Sequence, residues 1–366
     1  MTKKLPIWIT SFEKIRKEDY IYIDKTKQIF ELIENWFPVH NYLLLPEKMW
    51  KTLLIDTLQN LYEWRKELFK WLYIYDKWDF NKKYIVVRFD WNKTIKTEED
   101  LEKEITRMIK ENADRLWVKL ENKRTPDLWD LLWEIEKKYE EKIVILVDNF
   151  DKPILDVLDN QEQAIKHRDL IVNFFSILKW RCDIIEKWFY TWATELWRAD
   201  MLKGFNFLSC VGPFHKWSGF YWFTMEDIEK NFDLTDVDLG ELKKWYWGYI
   251  FNEKEYLNPN SVLNYFKNKK FDTYSFEKSK ELLDRLFKSW SIDKQTLHET
   301  LGWRYSIEWW QLYGEYVEKK VGVQLKGILH GLGLLWVKEI KKWWETERYI
   351  LGARNKEAES IFDLFL

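Results

Sequence analysis

The sequence predicts an α/β fold: a parallel sheet covered by helices on both faces, followed by a mainly helical C-terminal lobe. Three observations predict it. In the first half, short apolar runs (YLLL, YIVVRFD, KIVILVD and IIEKWFYT) alternate with segments of helical periodicity, the pattern of strands buried on both faces and joined by crossover helices. From about residue 225 the alternation stops and helical segments follow one another. The chain has 366 residues and is 46% apolar, enough for a sizeable core and for two domains, which we place at 1–224 and 225–366.

Taken in order, strand 42–45 leads into helix 51–64, and strand 84–90 into a charged helix near 97–121. Helix 126–140 precedes strand 142–148, and helix 161–179 precedes strand 184–191. The lobe reads as the helices of TMEDIEKNF, DLGELKKWYWGY and SFEKSKELLDRLFKSW, then a small hairpin turning at Trp343-Trp344, then a last helix in NKEAESIFDLFL.

Composition excludes several classes. The formal charge is −2 with 33% charged residues of both signs, so the chain as a whole is no polyanion binder. Cys182 and Cys210 cannot make a disulfide framework, and no Cys-x-x-Cys or paired-His spacing accompanies them, which predicts a reducing, cytoplasmic setting without structural zinc. The N-terminus lacks a continuous apolar core, and no segment approaches the ~20 apolar residues of a membrane span. No membrane contact is expected.

Tryptophan is the anomaly: 25 against only 12 glycines, where ordinary usage would give roughly 26 glycines. Many tryptophans fall where backbone chemistry asks for glycine. Trp343-Trp344 occupies a hairpin turn that favours positive φ, and Trp36 and Trp180 follow helical runs at the left-handed closing position. One reading is a large aromatic core, another a set of stacking platforms for bases or sugars, although the indoles are scattered at element ends. A third is that UGA codons, read as glycine in some bacterial lineages, have here been rendered as tryptophan.

The stretch YLLLPEKMWKTLLIDTL has the layout of a phosphate-binding loop, an apolar strand and short turn before Lys51-Thr52 opens an amphipathic helix. In the pattern G-x-x-x-x-G-K-[ST], backbone N–H groups cradle phosphate, the lysine reaches the β/γ-phosphates and the hydroxyl serves Mg²⁺. Leu45 and Trp50 stand at the two glycine positions, around Pro46, Glu47, Lys48 and Met49. A lysine opening a helix is ordinary surface chemistry by itself. The companion is IVILVDNFDKP, where an apolar strand runs directly into Asp148, as a P-loop ATPase positions a carboxylate for Mg²⁺.

With these motifs the chain resembles the bacterial AAA-ATPase-like family that often carries a C-terminal PD-(D/E)-x-K nuclease-like domain. The matching stretches are LPIWITSF, YIDKTKQIFELIE, KTLLIDTL, ELFKWLYIYDKWDF, VDNFDKPILDVLDN, FTMEDIEKNF, KWYWGY and LNPNSVLNYF, with RYILGARNKEAESIFDLF similar to the end of the family's lobe. The resemblance implies a P-loop NTPase (AAA-like) core. In it residues Pro46, Glu47, Lys48, Met49, Trp50, Lys51 and Thr52 form the nucleotide loop, and Thr52 and Asp148 hold Mg²⁺; the catalytic candidates are Asp148, with Asp151 and Thr191 from the present sequence. The family has glycine at Trp8, Trp50, Trp71, Trp192 and Trp222 but tryptophan at Trp78 and Trp245.

Departures concern hydrolysis. Glu47 stands in a loop that is arginine-rich in the family, and the family's Asp-Glu pair is Asp148-Asn149 here, so the second residue cannot accept a proton. Asp151 substitutes only if the turn returns it to the site. Thr191, ending a strand, and Arg198 are the candidates to approach the γ-phosphate. No strand-borne Asp followed by Glu-x-Lys is found, so a nuclease-like domain is not expected.

The function expected is ATP·Mg²⁺ binding and hydrolysis coupled to movement of the lobe. The alternative is a nucleotide-binding or protein-interaction module that does not hydrolyse. Nucleotide is the expected partner; a protein or nucleic-acid client and an oligomeric state stay open, with no arginine finger identified. The codon reading has a direct check: the codons for Trp50, Trp343 and Trp344 are expected to be TGA, and TGG there would sink it.

Overall fold

A computed structural model of the chain describes residues 3–34, 40–44, 50–120, 125–194, 209–211, 222–251, 254–289, 306–308, 325, 328–330, 332–343, 346–353 and 355–365. The first elements are α1 (Phe12–Lys17), α2 (Thr26–Glu34), β1 (His40–Leu44), α3 (Lys51–Tyr62), β2 (Ile85–Asp90), α4 (Glu98–Arg115), α5 (Leu128–Lys138), β3 (Ile143–Asp148), α6 (Lys152–Leu155), α7 (Gln161–Ser176), β4 (Ile185–Trp192) and β5 (Ser209–Val211). Then come α8 (Met225–Asn231), α9 (Leu239–Tyr246), β6 (Tyr249–Phe251), β7 (Lys254–Tyr256), α10 (Pro259–Asn268), α11 (Glu277–Ser289), β8 (Ser306–Glu308), β9 (Leu335–Trp343), β10 (Thr346–Ala353) and α12 (Lys356–Phe362).

The first five strands make one parallel sheet in the order β2-β3-β4-β1-β5. All six residues of β3 are buried, as its uninterrupted apolar run requires of a strand covered on both faces. Alternation sorts them. Ile143, Ile145 and Val147 join the core containing α4, α5 and α7, while Val144 and Leu146 join the core around α3. In β2, Ile85, Val87 and Phe89 take the first side and Val86 the α3 side; in β4, Trp188 and Tyr190 take the first side and Phe189 the α3 side. Continuing that period of two puts Arg88, Asp90, Asp148 and Thr191 on the α3 face, at or near the C-terminal edge of the sheet.

β2 is an edge strand, and its open side is partly closed by a side chain. Asn112 of α4 accepts from Arg88 N at 3.0 Å and donates to Arg88 O at 2.7 Å, an amide doing locally what another strand would do. Helix starts are capped where the sequence offers polar residues: Thr97 accepts from Asp100 N, and Asp127/Asp130 and Thr224/Asp227 form reciprocal capping boxes.

The C-terminal part holds more strand than the single hairpin expected. β8, β10 and β9 form a three-stranded antiparallel sheet, and β6 and β7 a two-stranded one. The register pairs Trp343 with Thr346, so the β9–β10 connection is residues 344 and 345, one further on than the expected Trp343-Trp344. These two lie outside the described residues. The buried Glu357 carboxylate accepts from Ser261 Oγ and from Ser275 N at 2.8 Å, fastening the start of α12 to α10.

Five of the nine non-glycine residues with positive φ among those described are tryptophan: Trp8, Trp50, Trp64, Trp71 and Trp117, with φ between 54° and 70°. Their turns are identifiable. After α3, Arg65 N donates to Asn60 O and Trp64 N to Leu61 O; after α4, Val118 N donates to Ala113 O and Trp117 N to Asp114 O. Both are Schellman closures with tryptophan at the glycine position. Lys70 at φ −50°, ψ 131° followed by Trp71 at φ 70°, with Leu72 N donating to Phe69 O, is a type II turn with tryptophan at its glycine position. Trp64 and Trp117 close helices that end earlier than the sequence predicts, at Tyr62 and Arg115. Trp180 differs from expectation: it ends a 3₁₀ turn (Ile177–Trp180) without a positive φ. Trp192 and Trp222 are fully buried and also lack one. Trp36 lies outside the described residues.

A left-handed non-glycine residue costs about 1–2 kcal/mol, and Trp117 is 83% exposed, so its indole returns little burial. Trp117→Gly is expected to raise the unfolding free energy by about 0.5–1 kcal/mol after the extra unfolded-state entropy of glycine. Chemical denaturation checks this, and a loss of stability would show that the indole contributes at that position.

Candidate functional site

The site lies where β1 meets α3. Of the loop residues, Pro46, Glu47, Lys48 and Met49 lie outside the described residues. Trp50 stands at the N-cap of α3 at φ 55°, ψ 23°, without a side-chain cap. Its indole turns to the apolar side, edge-on to Phe223 at 5.3 Å, and packs between the α3-side core and that of the C-terminal part. Lys51 follows and is only 5% exposed.

Asp148, fully buried at the end of β3, is the hub. Thr52 Oγ1 donates to its Oδ2 and Thr191 Oγ1 to its Oδ1, the latter at 2.5 Å. Each carboxylate oxygen thus holds one hydroxyl, one from the helix after β1 and one from β4, the strand between β1 and β3. Asn149 at φ 55° donates its backbone N–H to Thr191 Oγ1 at 2.8 Å and its amide to Asp148 Oδ2 at 3.3 Å. The structure therefore brings Thr52, Asp148 and Thr191 together although they are far apart in sequence.

Asp151 is also buried, but its oxygens are committed. They accept from Ala193 N at 3.1 Å, from Thr194 N at 2.7 Å and from Thr194 Oγ1 at 3.0 Å. Burial pushes its proton affinity up from the ordinary carboxylate value, against the nearby Lys51 charge and these hydrogen bonds. Asp151 thus anchors the chain leaving β4 and faces Lys51. Arg198 lies outside the described residues.

Sequence reasoning passed over three residues here. Asp90 ends β2 as Asp148 ends β3, and the two are register partners; the shared signature of apolar strand then aspartate, in YIVVRFD and KIVILVD, was the available signal. Burial first, then the Asp148 charge, raise the Asp90 pKa, while Arg88 opposes them. Arg88 also joins Asp56 and Gln59 of α3. Arg285 of α11 donates to Asp159 Oδ1 at 3.0 Å and to Asp156 O at 2.8 Å. A cleft of about 700 Å³ is lined by Trp8, Lys51, Asn149 and Asp151 and, from α11, by Glu281 and Arg285.

No group of three or more His, Cys, Asp or Glu suited to a metal is found among the described residues. The hydroxyl and carboxylate of Thr52 and Asp148 nevertheless fit Mg²⁺, which takes one or two protein oxygens and keeps water and phosphate oxygens for the rest.

Comparison with known proteins gives the chain a family. The family model described as predicted AAA-ATPase matches residues 6–201. An uncharacterised protein in the vnfD 5′ region of Azotobacter chroococcum is 30% identical over 280 residues, which are 75% of this chain and 54% of that protein, so the chain spans about half the length of this curated relative. Among solved structures, the Walker-type ATPase of Pyrococcus abyssi aligns at TM-score 0.48 and 13% identity over 95% of this chain and 97% of its own. The Aeropyrum pernix Orc1 protein, solved in complex with DNA, aligns at TM-score 0.36 and 11% identity over 93% and 92%. The family match spans β1, α3, β3 and β4, the elements that assemble the Thr52–Asp148–Thr191 cluster, and the chain belongs to the predicted AAA-ATPase family.

Proposed function

We propose that the chain binds ATP·Mg²⁺ at the head of α3, hydrolyses it, and passes the nucleotide state to its C-terminal lobe. The observation that carries this reading is the hydrogen bond from Thr52, the residue after Lys51, to the buried carboxylate of Asp148. Thr52 and Asp148 would hold Mg²⁺, which when bound offsets charge on the phosphate oxygens. Lys51 supplies a fixed positive charge for the γ-phosphate. Thr191 holds Asp148 from β4 and, through the Asn149 N–H, ties the end of β3 to the end of β4. Arg285 and Glu281 of α11 face the same cleft as Lys51, and this supports coupling to the lobe.

In this reading residue 50 is glycine in the native protein, as are the other left-handed tryptophans. A residue without Cβ adopts φ 55° without the steric cost and lets the backbone approach phosphate. The second reading, binding without hydrolysis, is favoured by Asn149, whose amide cannot take a proton from water.

Mass spectrometry of the peptide spanning residue 50, from protein made in the source cell, is expected to show glycine. With Trp50→Gly protein, ATP binding is expected by calorimetry, and Lys51→Ala is expected to weaken it by about 2 kcal/mol, roughly thirtyfold in Kd. Unchanged binding would remove Lys51 from the site. Thr52→Val is expected to weaken the Mg²⁺ dependence of binding, at a cost to stability of about 1–3 kcal/mol from the lost bond to Asp148; unchanged dependence would remove Thr52 from the metal's ligands.

A further inference from the structure

Asp90 ends β2 at the C-terminal edge of the sheet. It is the register partner of Asp148 across parallel strands, and the alternation that sends Val86 and Leu146 to the α3 side sends both aspartates there too. Neighbouring strands lie about 4.8 Å apart, so the two carboxylates sit side by side at the edge that α3 enters. They differ in what they can reach. Asp148 is fully buried, with a hydroxyl on each oxygen, whereas the Asp90 side chain is 27% exposed. The two residues after it, Trp91 and Asn92, line the cleft that contains Lys51.

Arg88 fixes this carboxylate. Its Nε donates to Asp90 Oδ1 at 3.0 Å and its Nη2 pairs with Oδ2 at 2.9 Å, a two-point grip. Its Nη1 donates to Asp56 Oδ1 at 2.9 Å and Gln59 Oε1 at 2.8 Å on α3. A single guanidinium therefore sets Asp90 relative to the helix that begins with Lys51-Thr52, and a carboxylate held through both oxygens by one planar group keeps a fixed orientation for its remaining lone pairs. The other acids that line the cleft do not stand at the C-terminal end of a sheet strand. Asp151 serves Ala193 and Thr194, Asp156 accepts from Lys152 Nζ at 2.6 Å and from Ile95 N at 3.0 Å, and Glu281 and Asp284 come from α11. The residue after Asp148 is an asparagine.

We propose that Asp90, held by Arg88, is the carboxylate that orients the attacking water and takes its proton, the role Asn149 cannot fill. The inference rests on the ATP-hydrolysis reading above. In the step, a water O–H bond breaks and the proton goes to the Asp90 carboxylate, while the water oxygen bonds to the γ-phosphorus. The bond from that phosphorus to the bridging oxygen breaks, and its electron pair leaves with ADP. The proton then passes from Asp90 to solvent.

The test uses the full chain carrying Trp50→Gly. Asp90→Asn is expected to lower kcat about 100-fold, within the range for a lost proton acceptor, with KM unchanged. Two readouts besides turnover accompany it: ATP affinity by calorimetry in EDTA, expected unchanged, and the nucleotide retained by the protein after incubation, expected to stay ATP where the parent holds ADP. Asp90→Glu, which keeps the carboxylate, is expected to recover part of the turnover. Turnover of Asp90→Asn equal to the parent's overturns the proposal alone; absence of turnover in the Trp50→Gly parent overturns it together with the hydrolysis reading. Should Asp90→Asn not fold, Arg88→Lys, which leaves the acid but loosens its grip, decides. A fall in kcat at constant ATP affinity supports the role, and an unchanged kcat overturns it.

Discussion

The buried carboxylate of Asp148 organises the candidate site. Burying an ionised group is costly unless its oxygens are satisfied, and here they are satisfied by hydroxyls from two other elements, Thr52 at the start of α3 and Thr191 on β4. That requirement locks the start of the lysine-bearing helix against the sheet edge, and through Thr191 it aligns the ends of β3 and β4. The surrounding polar groups follow from the same edge: Asp151 can anchor Ala193 and Thr194 because β4 ends beside it.

A second layer of charge fixes the outer side of the site. Arg88 is shared among Asp56, Gln59 and Asp90, so β2, an edge strand, is tied to α3 by one planar group. Asn112 completes the strand's open side from α4. In the same cleft, Arg285 joins α11 to the end of α6 and the turn after it by bonding the Leu155 and Asp156 carbonyls as well as Asp159. Arg285 lines the cleft itself, whereas Arg88 fixes Asp90, the residue before the cleft-lining Trp91 and Asn92.

The tryptophans show how backbone geometry can outweigh side-chain identity. A Schellman closure and a type II turn each need one residue with positive φ, and the chain supplies tryptophan at those places, with Trp71 and Trp117 more than four-fifths exposed. An indole placed in solvent and in a left-handed conformation gains neither burial nor backbone comfort. The same geometry recurs at Trp50, immediately before the lysine. Trp192 and Trp222 are a different case: they are buried and not left-handed, so turn geometry does not account for glycine there.

The sequence by itself determined the parallel sheet, the strand preceding α3 and the strand ending in Asp148, because continuous apolar runs and helical periodicity are local properties that survive without a fold. It also marked Lys51, Thr52, Asp148 and Thr191, each standing at the end of such a run or the start of a helix. Tertiary structure alone decided which of these meet. Strand order put β4 between β1 and β3, and with it Thr191 against Asp148; register and the period of two put Asp90 beside Asp148 and on the same face. Pairing across strands depends on residues distant in the chain, so one sequence alone carries no local mark of it. The extra C-terminal strands β6, β7 and β8 escaped for a related reason: three-residue strands are too short to show a period, and only their hydrogen-bonded partners define them.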